Sequence, residues 1–122
     1  NTEVVEFLGT SSKLNTVKLH NNKTGEDSIL ATDGAFIFIG LTPNTAFLDG
    51  SGVILNEWGF IETGHALFHD GRVSEEPGIV ETNIPGIFAA GDVRAGSTKQ
   101  VASATGEGAT AALLIREHLK TV

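Results

Sequence analysis

A length of 122 residues allows one small domain or part of one, with a modest apolar core and no room for two complete nucleotide sites. The composition, 40% hydrophobic and 19% charged with 15 glycines, is that of a soluble globular chain, and no apolar run nears the roughly 20 residues that cross a bilayer. A formal net charge of -7 argues against nucleic-acid or anionic-membrane partners, and the absence of cysteine excludes a disulfide, a thiolate metal site and dithiol chemistry within the chain.

From Thr2 to Leu8 the residues Val4, Val5, Phe7 and Leu8 predict a strand, turned by Gly9-Thr10-Ser11-Ser12. A second strand is predicted over Leu14 to His20, with Val17 and Leu19 sharing one face. Asn21 to Gly25 reads as a turn cluster, because Asn and Gly tolerate positive φ, and a short strand through Ser28, Ile29 and Leu30 completes a β-meander. The run Ala35-Phe36-Ile37-Phe38-Ile39 has no polar residue and predicts a strand covered on both faces in a parallel or mixed sheet, ending at Gly40. Pro43 and Asn44 mark a change of direction.

Short strands are expected at Val53 to Leu55 and Phe60 to Glu62, around Asn56-Glu57-Trp58-Gly59, where Trp58 reads as a turn or interface residue. Gly64 to Gly78 reads as a polar loop apart from Ala66-Leu67-Phe68. Pro85-Gly86 introduces Ile87 to Ala90, a short buried strand that stops at Gly91-Asp92. One long helix follows, from Lys99 to about Leu119, with Ser97 as its N-cap and Gln100 at the capping-box spacing. Its apolar positions are Val101, Ala104, Ala109, Ala112, Leu113, Ile115 and Leu119. Gly106 and Gly108 cost up to about 1 kcal/mol each relative to Ala, so another surface is expected to approach closely there. The fold class is therefore α/β: a meander and several short strands plus one long C-terminal helix.

The arrangement from Ile87 to Val101 carries the chemistry. A carboxylate at the carboxyl end of a buried strand lies where open α/β sheets bind ligands, so Asp92 can accept a hydrogen bond from a sugar or polyol hydroxyl, and Gly91 lets the backbone approach. Backbone N–H groups at Lys99, Gln100 and Val101 would form the positive end of a helix dipole, suited to a carbonyl oxygen or a developing negative charge. From the residues alone two readings stay open: a polar ligand at a strand-to-helix junction, or Asp92 as a helix-flanking turn residue. His65 and His69, four apart with Asp70 adjacent, are weak metal candidates because no third ligand is evident. His20 and His118 read as ordinary surface residues, and Arg94 and Lys99 as loop residues.

Three passages are more specific. Phe38-Ile39-Gly40-Leu41-Thr42-Pro43-Asn44-Thr45, Thr82-Asn83-Ile84-Pro85-Gly86-Ile87-Phe88-Ala89-Ala90-Gly91-Asp92-Val93 and Ser97 to Ala109 resemble the thioredoxin reductase family of the pyridine nucleotide-disulfide oxidoreductases. The resemblance covers nearly the whole chain and implies the C-terminal part of a two-domain FAD/NAD(P)-binding fold. It implies that residues 1–39 are the closing meander and last strand of an NADPH-binding domain, 40–45 a return crossover, and 46–122 the second half of an FAD-binding domain.

It further implies FAD as cofactor and NADPH as co-substrate of a parent disulfide reductase. Asp92 would lie on a ribityl hydroxyl, Gly91 and Val93 against the cofactor chain, and Lys99 and Gln100 by the flavin's pyrimidine end, with Val101 offering its backbone N–H to the ring. Residues 94–98 would form the loop between, and Gly106 and Gly108 would be packing glycines. No catalytic residue of the family falls inside the chain, and Gly64 to Ile79 is longer than the family's usual connection. The partners implied are the upstream remainder of the same enzyme, a thioredoxin-like protein and a second copy in a homo-oligomer. With no methionine and no signal-peptide pattern, the expectation is an inactive fragment of a cytoplasmic enzyme. Relatives lacking the dithiol, such as ferredoxin-NADP or peroxiredoxin reductases, and a self-associating fragment are the alternatives.

Overall fold

A computed structural model describes all 122 residues, which form two compact units, Asn1–Gly40 and Leu41–Val122. The first is an antiparallel meander of β1 (Thr2–Thr10), β2 (Lys13–Asn21) and β3 (Asp27–Ala31), in the order β1-β2-β3. Each strand outruns its expected span because ladder hydrogen bonds continue into the turns. Gly9 and Thr10, expected in the first turn, still pair with Leu14 and Lys13. Gly9 is required there, because a Cβ would stand 2.1 Å from the Lys13 carbonyl oxygen. The second turn closes on Asn21, whose Oδ1 accepts the Lys23 and Thr24 amides at 2.9 and 3.2 Å. Val17 is the buried residue of the sheet. Asp27 receives Lys18 at 2.9 Å and His20 at 2.7 Å, contacts that hold its carboxyl below the usual range, His20 more than Lys18.

The segment Ala35 to Ile39 is not a strand. It runs without regular structure, with Phe36 89% and Ile39 91% exposed. A run apolar on both sides becomes a strand only where neighbours supply backbone partners and cover, and β1, β2 and β3 pair only with one another.

In the second unit the expected short strands shrink to isolated bridges: Leu55 with Ile61, Ile61 with Arg94, and Glu81 with Phe88. Asn56 organises the turn between the first pair, its Oδ1 accepting the Trp58 and Phe60 amides, and Trp58 is exposed. The core is Ile61, Leu67, Val80, Ala89 and Ala111, accompanied by buried Thr45, Glu62, Thr63 and Thr82. Part of the expected loop after Gly64 is a short helix, α1 (His65–His69), which drives Leu67 to 0% exposure. Gly64 makes this possible: its φ is 61° and a Cβ would meet the Ile79 carbonyl oxygen at 2.8 Å.

The long helix α2 spans Val101–His118. It begins after the expected start, with Gln100 as an extended N-cap residue making no side-chain cap, so the capping box of Ser97 and Gln100 does not form. Lys99, at φ 58°, breaks helical geometry before it. The inward stripe also differs from the expected one. Ala104, Glu107, Ala111, Leu114 and His118 face the unit, whereas Ala109, Ala112, Leu113, Ile115 and Leu119 are exposed. An alanine-rich helix has little apolar contrast between its faces, so specific contacts decide its rotation. Those contacts are an ion pair at Glu107 and the edge of the His118 ring against Phe88, with centroids 6.3 Å apart. Gly106 and Gly108 consequently look onto open space, with no atom within 4 Å of an added Cβ. Close approaches to the helix fall at other glycines instead: a Cβ at Gly86 would sit 2.7 Å from His118 Nε2, and one at Gly91 3.3 Å from that of Ala104.

Candidate functional site

The loop from Gly91 to Gln100 links the core to α2. Upstream, Ala89 donates its amide to Val80 at 2.9 Å and Thr82 its amide to Ile87 at 2.9 Å, which anchors the buried segment that ends at Gly91. Gly91 turns with φ 81°, a left-handed conformation open to glycine at little cost. Downstream, Ile61 donates to the Val93 carbonyl at 3.0 Å, and Ala95 donates to the Ile61 carbonyl at 2.7 Å, so the loop is stitched to the core on both sides of Arg94.

A largely buried carboxylate locks the turn from behind. Glu107, reaching from the second turn of α2, accepts the Gly91 amide on Oε2 at 2.7 Å. The same carboxylate receives Arg94 Nε at 3.0 Å and Arg94 Nη2 at 2.6 Å, a two-point pairing that fixes the guanidinium plane. The Arg94 and Glu107 side chains are 17% and 14% exposed. The Arg94 guanidinium, and then the Gly91 amide, draw the Glu107 carboxyl down from 4.5 to about 2, overcoming the cost of burial. Glu107 escapes sequence reasoning because a lone glutamate in an alanine-rich helix reads as solvated. The available signal is its i+3 and i+4 spacing from the small residues Ala104 and Ala111.

Of the six residues picked from sequence, Gly91, Asp92 and Val93 lie together on the locked turn, with Gly91 buried and Asp92 exposed. Asp92 and Val93, with Leu41, Thr42, Pro43, Asn44 and Phe60, line a cavity of about 280 Å³. Lys99 is folded back: Nζ donates to the Arg94 carbonyl at 2.7 Å and stands 4.0 Å from the centre of the Phe60 ring, a cation–π contact at the cavity wall. Gln100 and Val101 are exposed at the start of α2. The free helical amides are those of Val101, Ala102 and Ser103, further along than expected, because Lys99 and Gln100 precede the helix. The arrangement therefore offers an exposed carboxylate, an apolar wall and a helix N-terminus around one loop.

No comparable metal arrangement exists. His65 bonds Glu76 at 3.0 Å and His69 bonds Asp70 at 3.1 Å, in separate pairs, and no group of three metal-ligating side chains forms.

Residues 1–108 match the family described as pyridine nucleotide-disulphide oxidoreductase. The chain is 43% identical over 112 residues to thioredoxin reductase of Listeria innocua, covering 91% of this chain and 30% of that protein. It is 38% identical over 114 residues to an alkyl hydroperoxide reductase component from Pseudomonas putida, covering 93% of this chain and 19% of that one. The crystal structure of thioredoxin reductase from Streptococcus pyogenes superposes with a TM-score of 0.74 at 31% identity, covering 99% of this chain and 35% of that structure. The chain thus spans about a third or less of the length of these relatives.

Proposed function

The chain belongs to the pyridine nucleotide-disulphide oxidoreductase family, and on that premise we propose that it is the flavin-facing C-terminal part of an FAD-dependent, NADPH-using disulfide reductase of the thioredoxin reductase type. The observation that carries this reading is the exposed carboxylate of Asp92 on a turn locked by Glu107 and Arg94. The residues fit an FAD. Asp92 offers an acceptor to a ribityl hydroxyl, Gly91 and Val93 would hold the turn along the cofactor chain, and the Val101 amide suits the pyrimidine edge. A cavity of about 280 Å³ lies just below the roughly 300–1,000 Å³ of whole small-molecule sites, which suits half a site better than a complete one.

When bound, FAD would supply the redox chemistry that links a nicotinamide to a dithiol. The residues of this chain bind and orient it. Asp92 would fix the ribityl chain, Lys99 and Gln100 would flank the pyrimidine end, and Val101 would donate its N–H there. The dithiol lies outside a chain that has no cysteine.

In this reading residues 1–39 close an NADPH-binding domain, 40–45 form the crossover, and 46–122 complete the FAD-binding domain. The division into compact units after Gly40 supports the boundary. The partners are the upstream part of the same enzyme, a thioredoxin-like substrate and a second copy in a cytoplasmic homo-oligomer. No helix of the chain is long and apolar enough to cross a membrane. The likeness to the alkyl hydroperoxide reductase component favours, as the second reading, a flavoprotein that reduces a peroxiredoxin.

The test is to purify the protein encoded by the complete gene. It should carry FAD, oxidise NADPH when given a thioredoxin, and lose FAD on gel filtration when Asp92→Ala is introduced. A colourless protein, or Asp92→Ala with undiminished FAD, overturns the reading. NADPH oxidation driven by a peroxiredoxin and not by a thioredoxin selects the second one.

A further inference from the structure

We infer that Glu107 is the positioning residue of the flavin loop: clamped between the Gly91 amide and the Arg94 guanidinium, it sets the turn on which Asp92 meets the ribityl chain. The inference rests on the proposed function and adds to it a residue that would never touch the cofactor.

Three features separate this clamp from ordinary packing. Helical spacing places residue 107 on the inward stripe between Ala104 and Ala111, where an apolar side chain would cost nothing to bury. The chain instead places a carboxylate there, a choice that costs stability unless its hydrogen bonds are complete. The three shortest of those bonds converge on the loop, one from the amide immediately before Asp92 and two from Arg94, while Ser103 on α2 itself adds a longer one at 3.4 Å. Arg94 in turn closes the loop on itself, its own amide donating to Gly91 at 3.0 Å and its Nη1 donating to the Ala95 carbonyl at 3.2 Å. The guanidinium also reaches Thr63 Oγ1 at 3.4 Å, so the clamp is tied to the core.

The electrostatics follow from the same geometry. Glu107 remains ionised at neutral pH, since its carboxyl titrates at about 2. Its charge is matched by Arg94, which leaves Lys99 as the loop's uncompensated cation at the cavity wall, beside Phe60. A flavin pyrimidine edge, rich in carbonyl oxygens, would therefore face the Lys99 ammonium and the helix N-terminus, with the Glu107 charge neutralised behind the loop.

The experiment uses the protein encoded by the complete gene with three changes: Asp92→Ala, Glu107→Gln, and the double variant Arg94→Gln with Glu107→Gln. The double variant removes both charges together, so no unpaired buried charge remains to unfold the chain. FAD affinity is measured by fluorescence quenching on titration into the apoprotein, loop geometry by the visible circular dichroism of bound flavin and by amide hydrogen exchange at Gly91. Losing hydrogen bonds to a charged group predicts FAD affinity weakened about 10-fold or more in both Glu107 variants. The flavin dichroism should change and Gly91 exchange should quicken, while the double variant keeps a near-normal unfolding midpoint. A double variant of normal stability that binds FAD as tightly as wild type, while Asp92→Ala binds weakly, overturns the clamp and leaves the flavin site standing. If Asp92→Ala also binds normally, the flavin site itself is wrong, and the inference falls with it.

Discussion

Acid should expose the Glu107 clamp as a measurable part of the stability of this chain. Glu107 binds its proton less tightly folded than unfolded, with its carboxyl at about 2 against an ordinary 4.5. The folded state is therefore favoured fully above the unfolded value, and that advantage is lost as pH falls from about 4.5 through about 2. A displacement of that size corresponds to at most about 3 kcal/mol. Because the pair stands at a loop edge with both side chains slightly exposed, solvent screening reduces the expectation to about 1–2 kcal/mol. Urea unfolding followed by far-ultraviolet circular dichroism, repeated across this pH window for wild type and Glu107→Gln, isolates the contribution. Asp27 and Glu117, whose carboxyls are also lowered by neighbouring cations, titrate alike in both proteins and cancel in the difference. The variant should be the less stable at neutral pH, and the gap should narrow as the solution is acidified. A gap that stays constant across the window would refute an ionised, charge-paired Glu107.

Gly91→Ala places a Cβ 3.3 Å from Ala104 at φ 81°, and should cost about 1–3 kcal/mol in urea unfolding. Leu67→Ala empties a fully buried position under α1 and should cost about 2–5 kcal/mol by the same measurement. Gly106→Ala and Gly108→Ala act in the other direction. Both positions face open space on α2, so each should stabilise the isolated chain by about 0.5–1 kcal/mol, seen as a higher thermal midpoint. A loss of stability from either would mean that a surface does approach the helix there.

Local signals located the elements better than the contacts between them. The meander was legible because alternation and the Asn21 to Gly25 turn are properties of neighbouring residues, and the long C-terminal helix was legible from its length and alanine content. Ala35 to Ile39 failed because a doubly covered strand is a property of its neighbours, and the sequence of the segment does not say whether they pair with it. The helix start failed because capping statistics favour Ser97, whereas the left-handed Lys99, tied back to the Arg94 carbonyl, delays the first turn. In the site, Gly91 and Asp92 were readable from the strand-to-loop pattern. The Glu107 clamp was not, because its partner lies 13 residues away and its burial depends on how a weakly amphipathic helix rotates. The same rotation leaves Gly106 and Gly108 facing open space and brings Ala104 and His118 against Gly91 and Gly86.

The central claim is that FAD meets this chain along Gly91 to Val93 and at the start of α2. Hydrogen–deuterium exchange of the complete-gene protein, with and without FAD, tests it most directly. The account predicts slowed exchange on FAD addition at residues 91–93 and 99–103, and unchanged exchange across the meander of residues 2–31. Protection that avoids the loop, or no protection in a protein that demonstrably holds FAD, would contradict it.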